Sequence, residues 1–252
     1  VRNLREILDK VRRRTLSPGK AIRLIGKAED NLGFARVDHD RRRRRGFPEV
    51  IFCPGKTAEQ ITLIVKSLRT AGQDVLATRA SREQFDVVRR THPDAVYHGA
   101  ARMITIDSGP RQRPVGRVGV VCAGTSDIPV AEEAALTAER LGARVERVFD
   151  VGVAGLHRLL GQTQLLRSCR AIVVAAGMEG ALPSVVGGLV NCPVVAVPTS
   201  IGYGTSMQGI AALLAMLNTC VPGITVVNID NGFGAGVAAA MMNAIGEKRG
   251  KH

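Results

Sequence analysis

Aromatic residues are the scarcest class in this 252-residue chain: no Trp, two Tyr and six Phe, 3% in all. That scarcity weakens the case for a base-stacking surface, which needs a series of ring faces. It also leaves Val, Ile, Leu and Ala to build the core, as in parallel sheets buried on both faces. Paired metal-ligand spacings are missing too. Cys53, Cys122, Cys169, Cys192 and Cys220 form no C-x-x-C, and no His-x-x-x-His accompanies them. This argues against a structural zinc site, and an odd count within apolar runs points to reduced thiols in a cytoplasmic protein. No apolar run is long enough to span a membrane, and the longest near the C-terminus are broken by Gln208, Asn218 and Asn243. The segment VRNLREILDKVRRR is charged throughout and lacks the apolar core of a signal peptide. Neither G-x-G-x-x-G nor a P-loop lysine motif is present, so the standard dinucleotide and NTP fingerprints are absent.

Acidic residues are in deficit, 22 against 35 Lys and Arg, giving a formal charge of +13 and a pI of about 10.4. The densest basic run is Arg41 to Arg45. Such a balance suits nucleic acid, an acidic membrane, a phosphorylated small molecule, or simply a solvated arginine-rich surface.

What is present is most regular beyond GPRQRP, Gly109 to Pro114, the best linker candidate. Two domains are therefore expected, 1–112 and 113–252. In the first, Leu4–Arg14, Ala58–Ala71 and Ser81–Arg90 read as helices. Glu49–Cys53 and Asp74–Ala77 read as strands, with further short strands in Ala95–Asp107. In the second, strands are expected at Val118–Cys122, Arg144–Phe149, Ala171–Ala175, Val194–Val197 and Thr225–Ile229. The alternating helices are Val130–Leu141, Gly155–Leu166, Ala181–Leu189, Gln208–Leu217 and Gly234–Ile245. Five βα repeats with short connections predict an α/β fold with a doubly wound parallel sheet, preceded by a smaller α/β domain.

In such a sheet, ligands bind where the strand ends collect, and the turns there are unusually polar. The first, CAGTSDIP, offers Thr125, Ser126 and Asp127 either as helix caps or as partners of a bound anion. The third, AAGMEGALPS, sets Gly177 and Gly180 around Glu179, which reads as a helix-start carboxylate or as an acid, base or ligand anchor. The fourth, VPTSIGYGTS, carries Thr199, Ser200 and Tyr203, and resembles an anion-binding loop or a polar surface loop equally. The last, NIDNGFGAG, offers Asn228, Asp230 and Asn231. Cys220, at the expected end of the fourth helix, is by position alone a small buried hydrophobe.

These turns resemble those of PurE-type aminoimidazole ribonucleotide (AIR) carboxylases: VCAGTSD for that family's G-S-x-S-D turn, AGMEGALPSVVGGL for A-G-G-A-A-H-L-P-G-M, and VVAVPTS for V-x-G-V-P-V. The catalytic His of A-A-H-L-P falls on Ala181, a departure from AIR carboxylation by the usual route. The whole chain resembles instead the LarB family of nickel-pincer nucleotide cofactor biosynthesis, which places an N-terminal extension before a PurE-like domain. DHDRRRRRGFPEVIFCPGKT, Asp38 to Thr57, is similar to its D-x-x-R-x-x-R-x-G-F-P-E-V signature, and GTSD, GMEGALPSVV, VPTSIGYG, LLAMLNTC and NIDNGFGAG also match.

The resemblance implies a carboxylase and hydrolase converting nicotinic acid adenine dinucleotide and CO2 or bicarbonate to pyridinium-3,5-biscarboxylic acid mononucleotide and AMP. It implies Cys220 as a covalent nucleophile, Glu179 or Asp127 as the proton-transfer group, and Arg41 and Arg44 as site residues or their supports. The remaining candidates for substrate binding are Thr125, Ser126, Gly177, Thr199, Ser200, Tyr203, Asn228, Asp230 and Asn231. Cleaving the phosphoanhydride requires charge neutralisation, by arginine or by Mg2+. Self-association, as octamers, is implied as well, with no nucleic-acid or membrane partner. The alternatives are a PurE-type AIR carboxylase or mutase and a non-catalytic nucleotide-binding regulatory module.

Overall fold

The computed structural model describes residues 4–25, 29–111 and 113–248. The chain divides into two compact units, residues 1–97 with 103–110 and residues 98–102 with 111–252.

In the N-terminal unit, helices α1 (Leu4–Arg12) and α2 (Pro18–Ile25) precede an antiparallel hairpin of β1 (Glu29–Asn31) and β2 (Arg36–Asp38). The arginine run forms a short helix, α3 (Arg41–Arg45), ended by Gly46 in the left-handed conformation. Then follow β3 (Val50–Phe52), α4 (Ala58–Thr70), β4 (Val75–Thr78), α5 (Arg82–Thr91), β5 (Val96–His98) and β6 (Met103–Ile106). The sheet order is β3-β4-β6-β5, with β3 parallel and β6 antiparallel to β4. Ile61, Ile64, Val65 and Leu68 recur at helical spacing along α4 and are all buried. They meet Ile51, Val75, Phe85 and Ile104 in one core. Thr57 with Gln60, and Ser81 with Gln84, close the starts of α4 and α5 as reciprocal capping boxes.

The C-terminal unit contains β7 (Val115–Cys122), α6 (Ile128–Arg140), β8 (Ala143–Val148), α7 (Leu156–Leu160), α8 (Thr163–Arg167) and β9 (Ala171–Ala176). It ends with α9 (Leu182–Leu189), β10 (Val194–Pro198), α10 (Ile210–Leu217), β11 (Ile224–Val226) and α11 (Gly232–Lys248). The five strands are parallel in the order β11-β10-β9-β7-β8. In sequence terms this is the 2-1-3-4-5 order, and its switch point lies between β7 and β9.

Both faces of this sheet are covered, and the strand period of two divides the core. Val118, Val120 and Cys122 of β7, with Ala171, Val173 and Ala175 of β9, face one layer with α6 and α11. Val121, Ile172, Val174 and Val194 face the other, with Leu159, Leu166, Leu182 and Met216 from α7 to α10. α11 and α6 approach closely because small residues meet. A Cβ added at Gly236 would stand 2.4 Å from the Ala134 carbonyl oxygen, and one at Gly232 would stand 2.2 Å from that of Val130.

Several boundaries shift by a few residues, and three elements differ for a visible structural reason. The helix read over Gly155–Leu166 breaks into α7 and α8, so that Leu159 and Leu166 both reach the sheet. α10 starts at Ile210 rather than Gln208, because Met207 and Gln208 are left-handed and Gly209 turns against the Thr199 carbonyl. β11 stops at Val226, although Val227 N–H still reaches the Ala196 carbonyl at 3.1 Å.

Candidate functional site

The turns that follow β7, β9 and β10 converge at the switch point of the C-terminal unit. After β7 the chain enters a 3-10 turn over Thr125–Asp127, whose N–H at Asp127 donates to the Gly124 carbonyl at 3.1 Å. The Asp127 side chain folds inward and is only 4% exposed. One carboxylate oxygen accepts from Gly124 N–H at 2.9 Å, and the other accepts from the Thr199 hydroxyl at 2.6 Å. Gly177 N–H is a third donor. Burial raises the Asp127 pKa above the ordinary carboxylate value. The three donors oppose that rise, and the nearby charge of Asp230 adds to it. Asp127 therefore ties three strand ends together, since Gly124 follows β7, Gly177 follows β9 and Thr199 follows β10.

Gly177 is required by that convergence: a Cβ there would stand 2.3 Å from the Ile201 carbonyl oxygen and 2.7 Å from the Thr199 hydroxyl. Met178 then takes a left-handed φ of 50°, with its N–H bonded to the Ile201 carbonyl at 2.9 Å. This turn delivers Glu179 to solvent, two residues beyond Gly177. Thr125, Ser126, Ser200 and Tyr203 are exposed around it, Tyr203 by 80%. Asp230, also left-handed at φ 56°, accepts from Ser200 N–H at 2.8 Å and so links the β10 turn to the segment after β11. Asn228 accepts from Ile229 N–H, and Asn231 caps α11 by accepting from Gly234 N–H at 2.9 Å.

Cys220 lies three residues beyond α10, in the turn to β11. The eight residues of α10 span about 12 Å, which separates this turn from the Thr199 end of the helix. Neighbouring Thr219 shares a hydroxyl contact of 2.8 Å with Ser184 in the first turn of α9, and that helix starts three residues after Glu179. Of the five cysteines, Cys220 alone is exposed. Burial pushes Cys53 up to about 12, and Cys122 and Cys169 up to about 11, and it raises Cys192 as well. Those four thiols are poor thiolate sources near neutral pH.

Arg41 and Arg44 belong to the N-terminal unit. Arg44 is gripped by the carboxylates of Asp38 and Asp40, the latter at 3.4 Å, and Asp40 also holds Arg43 in a two-pronged pair at 2.7 and 2.9 Å. The Arg41 guanidinium lies 5.8 Å from the Phe47 ring centroid. His39, between the two aspartates, faces the other way. Its Nε2 meets the Ser67 hydroxyl at 3.1 Å, Ser67 donates to Asp30 at 2.8 Å, and Gln73 donates to the His39 carbonyl at 2.8 Å. The alternation Asp-His-Asp thus anchors the arginine helix on α4. Sequence reading missed this role, though its signal stood directly before the run. The Asp127–Thr199 bond had no sequence signal at all, because 72 positions separate the two residues.

Among the described residues, no group of three His, Cys, Asp or Glu side chains suits a metal ion. A Mg2+ carried on substrate phosphates needs only one or two protein carboxylates. Asp127 is enclosed by its three donors and does not suit that role, whereas Asp230, which bonds Ser200 N–H at 2.8 Å, is the less buried of the two carboxylates. No helix among the described residues is long and apolar enough to cross a membrane.

Comparison with known proteins adds a family to this geometry. Residues 29–108 match the LarB/PurE-like N-terminal domain, and residues 117–252 match AIR carboxylase. An uncharacterized protein of Methanocaldococcus jannaschii is 40% identical over 221 residues, which cover 84% of this chain and 85% of that protein. The N5-carboxyaminoimidazole ribonucleotide mutase of Thermotoga maritima is 26% identical over 138 residues, covering 51% of this chain and 75% of the mutase. A crystal structure of Treponema denticola PurE2 superposes with a TM-score of 0.40 at 18% identity, covering 56% of this chain and 94% of that one.

Proposed function

The chain belongs to the LarB family of PurE-like carboxylases, and from that membership we propose that it carboxylates nicotinic acid adenine dinucleotide and cleaves its phosphoanhydride. The products are AMP and pyridinium-3,5-biscarboxylic acid mononucleotide, and the step opens nickel-pincer nucleotide biosynthesis. The observation that carries the reading is the contrast among the thiols: three are buried and Cys192 is partly buried, all four with raised pKa values, and Cys220 alone is presented to solvent.

The chemistry needs such a thiol. A pyridinium ring is electron-poor, so its C5 cannot attack CO2. Addition of the Cys220 thiolate to a ring carbon beside C5 gives a dihydropyridine, in which C5 is the nucleophilic enamine carbon. C5 then forms the new bond to CO2 and leaves an iminium. A base removes the C5 proton, and the ring nitrogen's electron pair expels the thiolate and restores aromaticity. Glu179 suits the proton transfer, being an exposed carboxylate in the turn after β9. Asp127, enclosed by three donors, suits the task of holding the Gly124, Gly177 and Thr199 turns in place. Water completes the phosphoanhydride cleavage, and AMP leaves. Arginine side chains would supply positive charge for the phosphates. Mg2+, with Asp230 as its candidate carboxylate, would neutralise phosphate charge when bound.

The Thermotoga maritima relative, an N5-carboxyaminoimidazole ribonucleotide mutase, favours a PurE-type carboxylase or mutase as the second reading. Ala181, where the purine family's motif has its catalytic His, stands against it. Incubating the protein separately with each substrate, bicarbonate and Mg2+ tests the choice. The proposal expects AMP and a dicarboxylated mononucleotide from the dinucleotide, and no turnover of AIR. Tight dinucleotide binding without AMP release would instead mark a regulatory module.

A further inference from the structure

The N-terminal unit holds a second parallel strand pair, and its C-terminal edge is built from groups that the proposed chemistry leaves unused. Phe52 ends β3 and remains 50% exposed, in a chain with only six Phe and two Tyr. Its register partner on β4 is Thr78. The next residue, Arg79, sets its guanidinium carbon 6.0 Å from the Phe52 ring centroid. Arg79 also holds a left-handed φ of 54°, which a residue with a Cβ normally avoids.

Two hydrogen bonds tie this edge together. Lys56 Nζ donates to the Phe52 carbonyl at 2.7 Å, and Gln84 Nε2 donates to the Lys56 carbonyl at 3.0 Å. Arg82 continues the surface, 5.4 Å from the Phe85 centroid and 5.8 Å from that of Tyr97. Pairs of this kind usually number about one per 75 residues. Here five lie between Arg41 and Tyr97. Aromatic residues are few overall, but Phe47, Phe52, Phe85 and Tyr97 are each faced by arginine, and of these four Phe52 is the most exposed.

The two helix starts beside this edge are already satisfied. Capping boxes close α4 and α5, and Glu59 and Glu83 sit in their first turns. Glu59 is held below the ordinary carboxylate value by its own backbone N–H and Thr57, and Glu83 by Ser81 and its own backbone N–H. An anion at this edge is therefore met by side-chain cations rather than by helix ends.

We propose that the Phe52–Arg79 edge binds a purine nucleoside monophosphate. The base stacks on the exposed Phe52 ring, and Lys56 and Arg79 meet the phosphate. The inference rests on the dinucleotide reading only in its choice of adenine as the base.

The test uses AMP itself as the probe, titrated calorimetrically into the full chain at fixed salt. Wild type is expected to bind AMP saturably. Phe52→Ser and Arg79→Gly should each weaken it by about tenfold or more, the scale of losing a stacked base, and Phe52→Tyr should restore it. Glycine suits the backbone at position 79, so Arg79→Gly separates lost charge from lost folding. Unchanged AMP affinity in both variants overturns the site. A single-stranded oligoadenylate that binds far more tightly than AMP, with the same sensitivity to Phe52→Ser, overturns the mononucleotide assignment in favour of RNA. AMP binding through Phe52 without dinucleotide turnover would sink the proposed function and leave this site standing. Normal turnover with variant-insensitive AMP binding would do the reverse.

Discussion

In the proposed reaction Cys220 and Glu179 are the groups presented to solvent, and the other four cysteines are buried or partly buried. Cys220→Ala should abolish carboxylation and leave the fold intact, because an exposed turn thiol contributes little to packing. Single-turnover assays together with circular dichroism check both halves of that statement. Glu179→Gln should slow turnover by at least about 10²-fold if it removes the C5 proton, and a near-normal rate would take it out of that role. Asp127 makes a different prediction. Its carboxyl is held above the ordinary value chiefly by burial. Its titration thus favours the folded state fully below the unfolded aspartate pKa, about 3.9. That contribution is lost as pH rises through the folded value. Denaturation of wild type and Asp127→Asn across that window should show the wild type losing stability with pH relative to the variant. A pH-independent difference would contradict the burial argument.

The parallel strands were legible in the sequence because both their faces are buried, so Ala171–Ala176 and Val194–Pro198 are unbroken apolar runs. The helices were legible from their one-sided apolar spacing, as along α4. Polar elements left no such trace. The hairpin Glu29–Asn31 with Arg36–Asp38 and the short helix Arg41–Arg45 have no apolar period to read. The left-handed Met178 and Met207 were invisible too, since only tertiary hydrogen bonds and close packing select that conformation for methionine. One element contact is testable by volume alone. Gly236→Val should push α11 off α6, because even a Cβ would stand 2.4 Å from the Ala134 carbonyl oxygen. We expect a loss of about 1–3 kcal/mol or more in chemical denaturation.

For the whole molecule, the two units divide the candidate residues. Arginines gripped by aspartates lie in one, and the carboxylate-organised crevice and the thiol lie in the other. The site turns were legible as polar interruptions at strand ends. Their convergence was not, because it depends on β7 and β9 becoming neighbours across an intervening strand. The proposed self-association belongs to this scale as well. Ile210, Leu214 and Leu217 are 38%, 60% and 61% exposed and share one face of α10 at helical spacing. If copies pack on that face, Leu214→Glu should lower the mass read by light scattering, and an unchanged mass would place the interface elsewhere.

The central claim is that Cys220 activates a pyridinium ring for carboxylation, and product mass spectrometry tests it most directly. Wild type and Cys220→Ala are incubated with nicotinic acid adenine dinucleotide, 13C-bicarbonate and Mg2+. The account predicts AMP and a mononucleotide bearing one 13C-labelled carboxylate from wild type, and no labelled product from Cys220→Ala. Labelled product from Cys220→Ala at the wild-type rate would contradict it.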